Sequence, residues 1–211
     1  MEKILVVGAT GTTGKKVVDL LQSSQYFEPV AMIRKESQQQ QFEQQGVPTV
    51  MGDLEKDVSH TVTGMDKVVF AAGSGGKKVE AVDRDGAKKM IDASKKQGIK
   101  KFVMLSSMGA DQPEKAEELQ DYLKAKHQAD AYLKESELPH AIVRPGALTN
   151  EKGEGKITMA QKLNKQGEIS RDDVAQVLSR SLHDDVAVNE TFEILQGDQL
   201  IAKALDTVSN S

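Results

Sequence analysis

The chain has 211 residues, 38% of them hydrophobic and 4% aromatic, with no cysteine and a net charge of −4. That length suits one domain with a packed core, and the missing cysteines exclude disulfides, thiolate nucleophiles and cysteine-based metal sites. The slight acid excess and scarce aromatics argue against nucleic acid as a partner, and no apolar run approaches the roughly 20 residues that cross a membrane.

Taken in chain order, apolar β-branched runs recur at 4–7, 30–33, 47–51, 68–72, 102–105 and 141–143. Polar segments with helical spacing separate them. Val17, Val18, Leu20 and Leu21 mark the apolar face of one. Val79, Val82, Gly86, Met90 and Ile91 mark another, with Gly98 as its stop signal. The glutamine-rich "SQQQQFEQQ" sits where a second crossover helix belongs, and glutamine is a fair helix former. Strands alternating with helices imply βαβ units and a parallel sheet covered on both faces. The expected fold is α/β, a Rossmann-type doubly wound sheet in a single domain. Its core should occupy about 1–150, with 151–211 a small substrate-side lid or appendage. Within that last part "SRDDVAQVLSRSL" reads as a helix capped by Ser170, "ETFEILQ" as a strand and "QLIAKALDTV" as a final helix.

The first strand runs directly into "GATGTTGKKVV". Gly8 permits the tight turn, Gly11 lets backbone amides approach a pyrophosphate, and Gly14 lets the helix pack against the strand. The helix N-terminus supplies amide donors and a favourable dipole, and Thr10, Thr12 and Thr13 could add hydroxyls. The spacing is G-x-x-G-x-x-G rather than G-x-G-x-x-G, but the context of strand, glycines and amphipathic helix favours a dinucleotide. After the second strand stand Arg34 and Lys35, where an acid would favour NAD. Cations suit a 2′-phosphate, so NADP is the expected cofactor. The scattered His60, His127, His140 and His183 lack metal-ligand spacing, so no metal is expected. The N-terminus enters a strand without a leader-like segment, which reads as a cytoplasmic protein.

Several motifs in order, "VVGATGTTG", "MIRK", "GDLE", "FAAGSG", "VDRDGAKKMIDASKKQGIKKFVMLSSMGA", "YLKAKHQAD", "AIVRPGALTNE" and "ISRDDVAQVL", resemble the atypical short-chain dehydrogenase/reductase family, in its NAD(P)H-binding, epimerase/dehydratase-like group. The resemblance implies that Asp53 and Leu54 hold the adenine, and that Ala71, Ala72 and Gly73 line the ribose and diphosphate path. It implies that Pro145, Gly146 and Leu148 lie by the nicotinamide. In catalytic members a tyrosine and a lysine four residues on, here Tyr122 and Lys126, share a helix face. The phenol exchanges a proton with substrate while the lysine holds the nicotinamide ribose. Ser106 or Ser107 would polarise the substrate oxygen, and Asp83 stands where the family's relay asparagine is usual.

Three functions are compatible with these residues: an NADP-dependent oxidoreductase acting on a small carbonyl, quinone or flavin-like acceptor, a non-catalytic NADP-binding sensor, and a nucleotide-sugar epimerase. The substrate wall is expected from 74–78, 108–115 and 148–159. No heptad seam is visible, which leaves monomer and homodimer equally open.

Overall fold

A computed structural model describes residues 1–209. Nine strands form one sheet in the order β11-β8-β10-β6-β5-β4-β1-β2-β3. They are β1 (Glu2–Val7), β2 (Phe27–Ile33), β3 (Thr49–Met51), β4 (Lys67–Phe70), β5 (Lys101–Leu105), β6 (His140–Pro145), β8 (Lys156–Ala160), β10 (Glu190–Gln196) and β11 (Gln199–Leu200). From β3 through β10 every neighbouring pair is parallel; β8 and β11 add an antiparallel edge. The short strands β7 (Ala147–Thr149) and β9 (Glu168–Ser170) pair separately. Among the described residues six α-helices complete the fold: α1 (Thr12–Gln22), α2 (Gln39–Gln44), α3 (Asp85–Gln97), α4 (Gln120–Glu135), α5 (Arg171–Arg180) and α6 (Ile201–Ser209).

Each strand feeds both faces, as its two-residue period requires. Ile4, Val6, Val69 and Val103 pack with Val17, Val18 and Leu21 of α1 and with Val174 and Leu178 of α5. Leu5, Val7, Phe70, Phe102 and Met104 point the other way, onto Met90 and Ile91 of α3 and Leu133 of α4. Burial on both faces is why these strands read as continuous apolar runs rather than alternating ones. The chain reverses its winding between β1 and β4, so a crevice opens beyond the carboxyl ends of those strands.

Three local features follow the sequence closely. The glutamine-rich stretch is helical, a 3₁₀ turn at Glu36–Gln38 leading into α2. Gly98 closes α3 in the left-handed conformation, φ 73°. Ser170 caps α5, its hydroxyl accepting from the Asp173 amide at 3.0 Å. The expected helix around Val79 is different in kind: Val79–Arg84 forms a π-helical turn before α3 begins.

Residues 151–209 supply β8, β10 and β11, and α5 lies beside α1 in the helix layer. Two buried lysines weld this part to the first half. Lys67, at the start of β4, donates to the Leu182 carbonyl at 2.8 Å and pairs with Asp184 at 2.6 Å. Lys101, at the start of β5, donates to the carbonyls of His183 and Val186, and burial pushes its ammonium down to about 8.

Candidate functional site

The crevice at the winding reversal is a cleft of about 640 Å³, within the range of ligand sites. One wall is the turn from β1 into α1. Gly8 adopts φ +86°, and a Cβ there would lie 2.6 Å from the Ala72 amide nitrogen, so β1 and β4 close against each other only without a side chain. A Cβ on Gly14 would lie 2.1 Å from the Gly8 carbonyl oxygen, so this glycine sets how near α1 approaches its own strand. Gly11 is the N-cap of α1; no side chain caps the helix and its first turn holds no acid. The first amides of an 11-residue helix therefore face the cleft without a protein acceptor, beside Thr10, Thr12 and Thr13. That donor set fits a diphosphate.

At one end the cleft is lined by Arg34, Gln38, Asp53 and Leu54. Arg34 is exposed, and the Gln38 side-chain oxygen accepts from both the Arg34 and Lys35 amides, at 2.9 and 3.0 Å, which fixes the turn carrying the arginine. Ala71, Ala72 and Gly73 form the middle of the wall.

At the other end stand Leu105, Ser106, Leu119, Tyr122, Lys126, Leu148 and Arg171. Tyr122 and Lys126 share a face of α4, with the Lys126 Nζ 5.6 Å from the phenol ring centre. Lys126 is 3% exposed and donates to the Leu105 carbonyl at 3.1 Å. Asp83 lies behind Gly73, fully buried in the π-helical turn, a widened form common at functional sites. One Asp83 oxygen accepts from the Ser74 amide at 3.1 Å and hydroxyl at 2.6 Å; the other has no hydrogen-bond partner and faces the Lys126 ammonium at 3.8 Å. Among the described residues no cluster could hold a metal ion.

Several residues named from the sequence lie outside the cleft lining. Lys35 is exposed and opens the 3₁₀ turn. Ser107 donates to the Met108 carbonyl, leaving Ser106 as the serine that lines the cleft. Pro145 ends β6, its carbonyl accepting from the Met108 amide, while a Cβ on Gly146 would strike the Leu195 side chain and the Gly167 carbonyl. Gly146 is thus a packing position against β10. Of the loops expected to form the substrate wall, 108–115 does not reach the cleft; Leu119 does, 68% exposed and with a left-handed backbone. Arg171 was also missed. It follows the Ser170 cap and reaches back to the Leu148 carbonyl and Asn150 side chain at 3.1 and 2.9 Å. Its signal lay in "ISRDDVAQVL", where a cation directly follows a helix cap.

Among the described residues no helix is long and apolar enough to cross a membrane. Comparison with known proteins agrees with the architecture. The uncharacterized sugar epimerase YhfK of Bacillus subtilis is 40% identical over 96% of this chain and 98% of its own length. The structure of a Bacillus halodurans protein provisionally assigned as an NAD-dependent epimerase/dehydratase superposes with a TM-score of 0.94, 39% identity, and 98% and 100% coverage. The Lactococcus lactis oxidoreductase ylbE gives 0.87 at 31% identity, covering 99% of this chain and 97% of that one. Two more distant relatives carry reductase names: sanguinarine reductase of Eschscholzia californica, 25% identical over 90% of this chain and 88% of its own length, and the NAD(P)H azoreductase of Xenophilus azovorans, 30% identical over 78% of this chain and 54% of its own length. The profile of the NAD(P)H-binding family matches residues 8–185, and the chain belongs to that family, within the atypical short-chain dehydrogenases/reductases.

Proposed function

We propose that the protein is an NADPH-dependent reductase of a small conjugated acceptor. The observation that carries this reading is the polarity of one continuous cleft, with Arg34 at one end and Ser106, Tyr122 and Lys126 together at the other. When bound, NADPH supplies a hydride. Arg34 has the fork geometry for a 2′-phosphate, and no carboxylate pairs with it among the described residues. The uncapped α1 amides take the diphosphate, and Lys126, fixed by the Leu105 carbonyl, is placed for the ribose hydroxyls. Tyr122 stands at the acceptor end as a proton donor, with the Lys126 ammonium 5.6 Å from its ring centre. The reductase names among distant relatives support the same direction of chemistry. Epimerisation, suggested by other relatives' names, has less support, because residues 151–209 are spent on the sheet and its helices.

Titration with NADPH and NADH, followed by nicotinamide fluorescence, tests the cofactor end. In Arg34→Ala the NADPH affinity should fall on the order of tenfold to hundredfold, as for loss of a charge-assisted pair, with NADH affinity unchanged. Equal weakening of both nucleotides would remove the 2′-phosphate role, and failure of the wild type to bind either would end the reading.

Turnover tests the other end. Tyr122→Phe should lower kcat for NADPH oxidation by about 10²–10⁴ without changing NADPH affinity. An acceptor reduced equally fast by the variant takes its proton from solvent, which would take Tyr122 out of the chemistry and leave the cofactor assignment standing.

A further inference from the structure

Tyr122 and Lys126 continue along the same stripe of α4 to Asp130, one turn further and 1% exposed. A single oxygen of Asp130, Oδ2, accepts hydrogen bonds from Arg144 Nε at 2.9 Å and from the Ser106 hydroxyl at 2.8 Å, and lies 2.8 Å from Arg144 Nη2 in the same ion pair. Oδ1 has no partner. An oxygen that accepts from one guanidinium N–H and has a second guanidinium nitrogen 2.8 Å away cannot carry a proton, so the hydrogen between Ser106 and Asp130 belongs to the serine. Burial pushes the Asp130 carboxyl up while Arg144 pulls it down. Neither changes this direction, since any proton on Asp130 would reside on Oδ1.

A hydroxyl has one hydrogen. Ser106 has committed its own to the buried Asp130 carboxyl, whose accepting oxygen is held in place by the Arg144 guanidinium. A substrate carbonyl entering the cleft therefore does not win that hydrogen. What Ser106 offers to the cleft is lone pairs, the reverse of the polarising role expected from the sequence.

We infer that the Ser106–Asp130–Arg144 arrangement makes this site selective for an acceptor that itself donates a hydrogen bond, a conjugated nitrogen heterocycle with a lactam or imide N–H. An oxidised quinone has only acceptor oxygens and an isolated carbonyl has none to donate; an N–H beside the conjugated system is the group that satisfies Ser106. Ser106 acts here as a specificity residue, and Asp130 and Arg144 position it. This rests on the reductase reading, because that reading places the acceptor at the Ser106 end.

Equilibrium binding to protein saturated with NADP⁺ tests the inference without turnover. The probes are 10-methylisoalloxazine, with a free imide N–H, and 3,10-dimethylisoalloxazine, in which it is methylated, both followed by flavin fluorescence. Wild type should bind the N–H compound on the order of tenfold to hundredfold more tightly, as for leaving one buried polar partner unmatched. In Ser106→Ala, checked for an unchanged urea midpoint, the two should bind alike. Equal binding by wild type, binding of neither compound, or a preference that survives in Ser106→Ala would each overturn it. Oxidation of NADPH by menadione separates the two levels. Menadione turnover with no N–H preference would leave the reductase standing and remove only this inference, whereas absence of NADPH binding would remove both.

Discussion

Arg144→Met should cost about 3–5 kcal/mol of stability, the range for stripping one partner from a buried ion pair. Against a typical total of about 5–15 kcal/mol, this is among the largest single losses available in the molecule. The reason lies in what stays behind. Asp130 is 1% exposed and would keep a single donor, Ser106, on a carboxylate that water cannot reach. Urea unfolding should move the midpoint without much change in slope. The double variant Asp130→Leu/Arg144→Met should recover most of the loss, because apolar replacement of a whole buried pair is often neutral or better. A double variant no more stable than Arg144→Met would show that packing of the long arginine stem, not the charge, carries the effect.

The single variant also has a signed pH dependence. Burial is the largest influence on the Asp130 carboxyl and raises it; Arg144 is the largest influence lowering it. Without Arg144 the folded-state value rises further above the unfolded one. The folded state then binds a proton more tightly than the unfolded chain, so stability falls as pH rises from the ordinary carboxylate range through the raised value. Arg144→Met should accordingly lie closest to wild type in mild acid and furthest at neutral pH. A pH-independent difference would contradict the assignment of the loss to the Asp130 charge.

The second large effect is expected from Gly14→Ala. A methyl group there would lie 2.1 Å from the Gly8 oxygen, 2.7 Å from its carbonyl carbon and 3.1 Å from the Ala9 Cα, all backbone atoms that cannot rotate away. α1 must therefore shift from β1. Overpacking of this kind costs about 1–3 kcal/mol, and the shift moves the uncapped amides at the helix start. Cofactor affinity should fall at least about tenfold, the equivalent of about 1.4 kcal/mol, in a protein that remains folded at room temperature. Gly11→Ala is the internal comparison: its methyl would meet only the Gly8 oxygen, at 3.2 Å, and should disturb both quantities less. Unchanged affinity in Gly14→Ala would mean that the amides do not hold the diphosphate.

The local readings in the sequence were those with a short-range cause. Ile4–Val7 running into a glycine turn, Gly98 ending α3 and Ser170 capping α5 each depend on neighbours a few residues away. The alternation of strands and helices likewise implied the parallel sheet. Chain order then placed Arg34, Asp53, Ala71 and Tyr122 at strand ends or on the following helices, near a shared cleft. Other features depended on distant partners. The π-helical turn at Val79–Arg84 carries apolar spacing that a plain helix would also show, and its difference lies in how Asp83 is buried against Ser74 and Lys126. The choice between Ser106 and Ser107 was open because adjacent residues leave a strand in opposite directions. The resemblance implies that Gly146 lies by the nicotinamide; its tightest contacts, Leu195 and Gly167, come from chain that arrives later.

The stretch "YLKAKHQAD" holds both kinds of information. Its four-residue spacing puts Tyr122, Lys126 and Asp130 on one face of a helix, and that much follows from the pitch of an α-helix alone. That Lys126 meets Asp83, and that Asp130 meets Arg144 and accepts from the Ser106 hydroxyl, required β5, β6 and the turn before α3 to converge on that face. Propensity and spacing act within a few residues and are written in the sequence; the direction of a buried hydrogen bond depends on groups 14 and 24 residues away, brought together by packing the sheet.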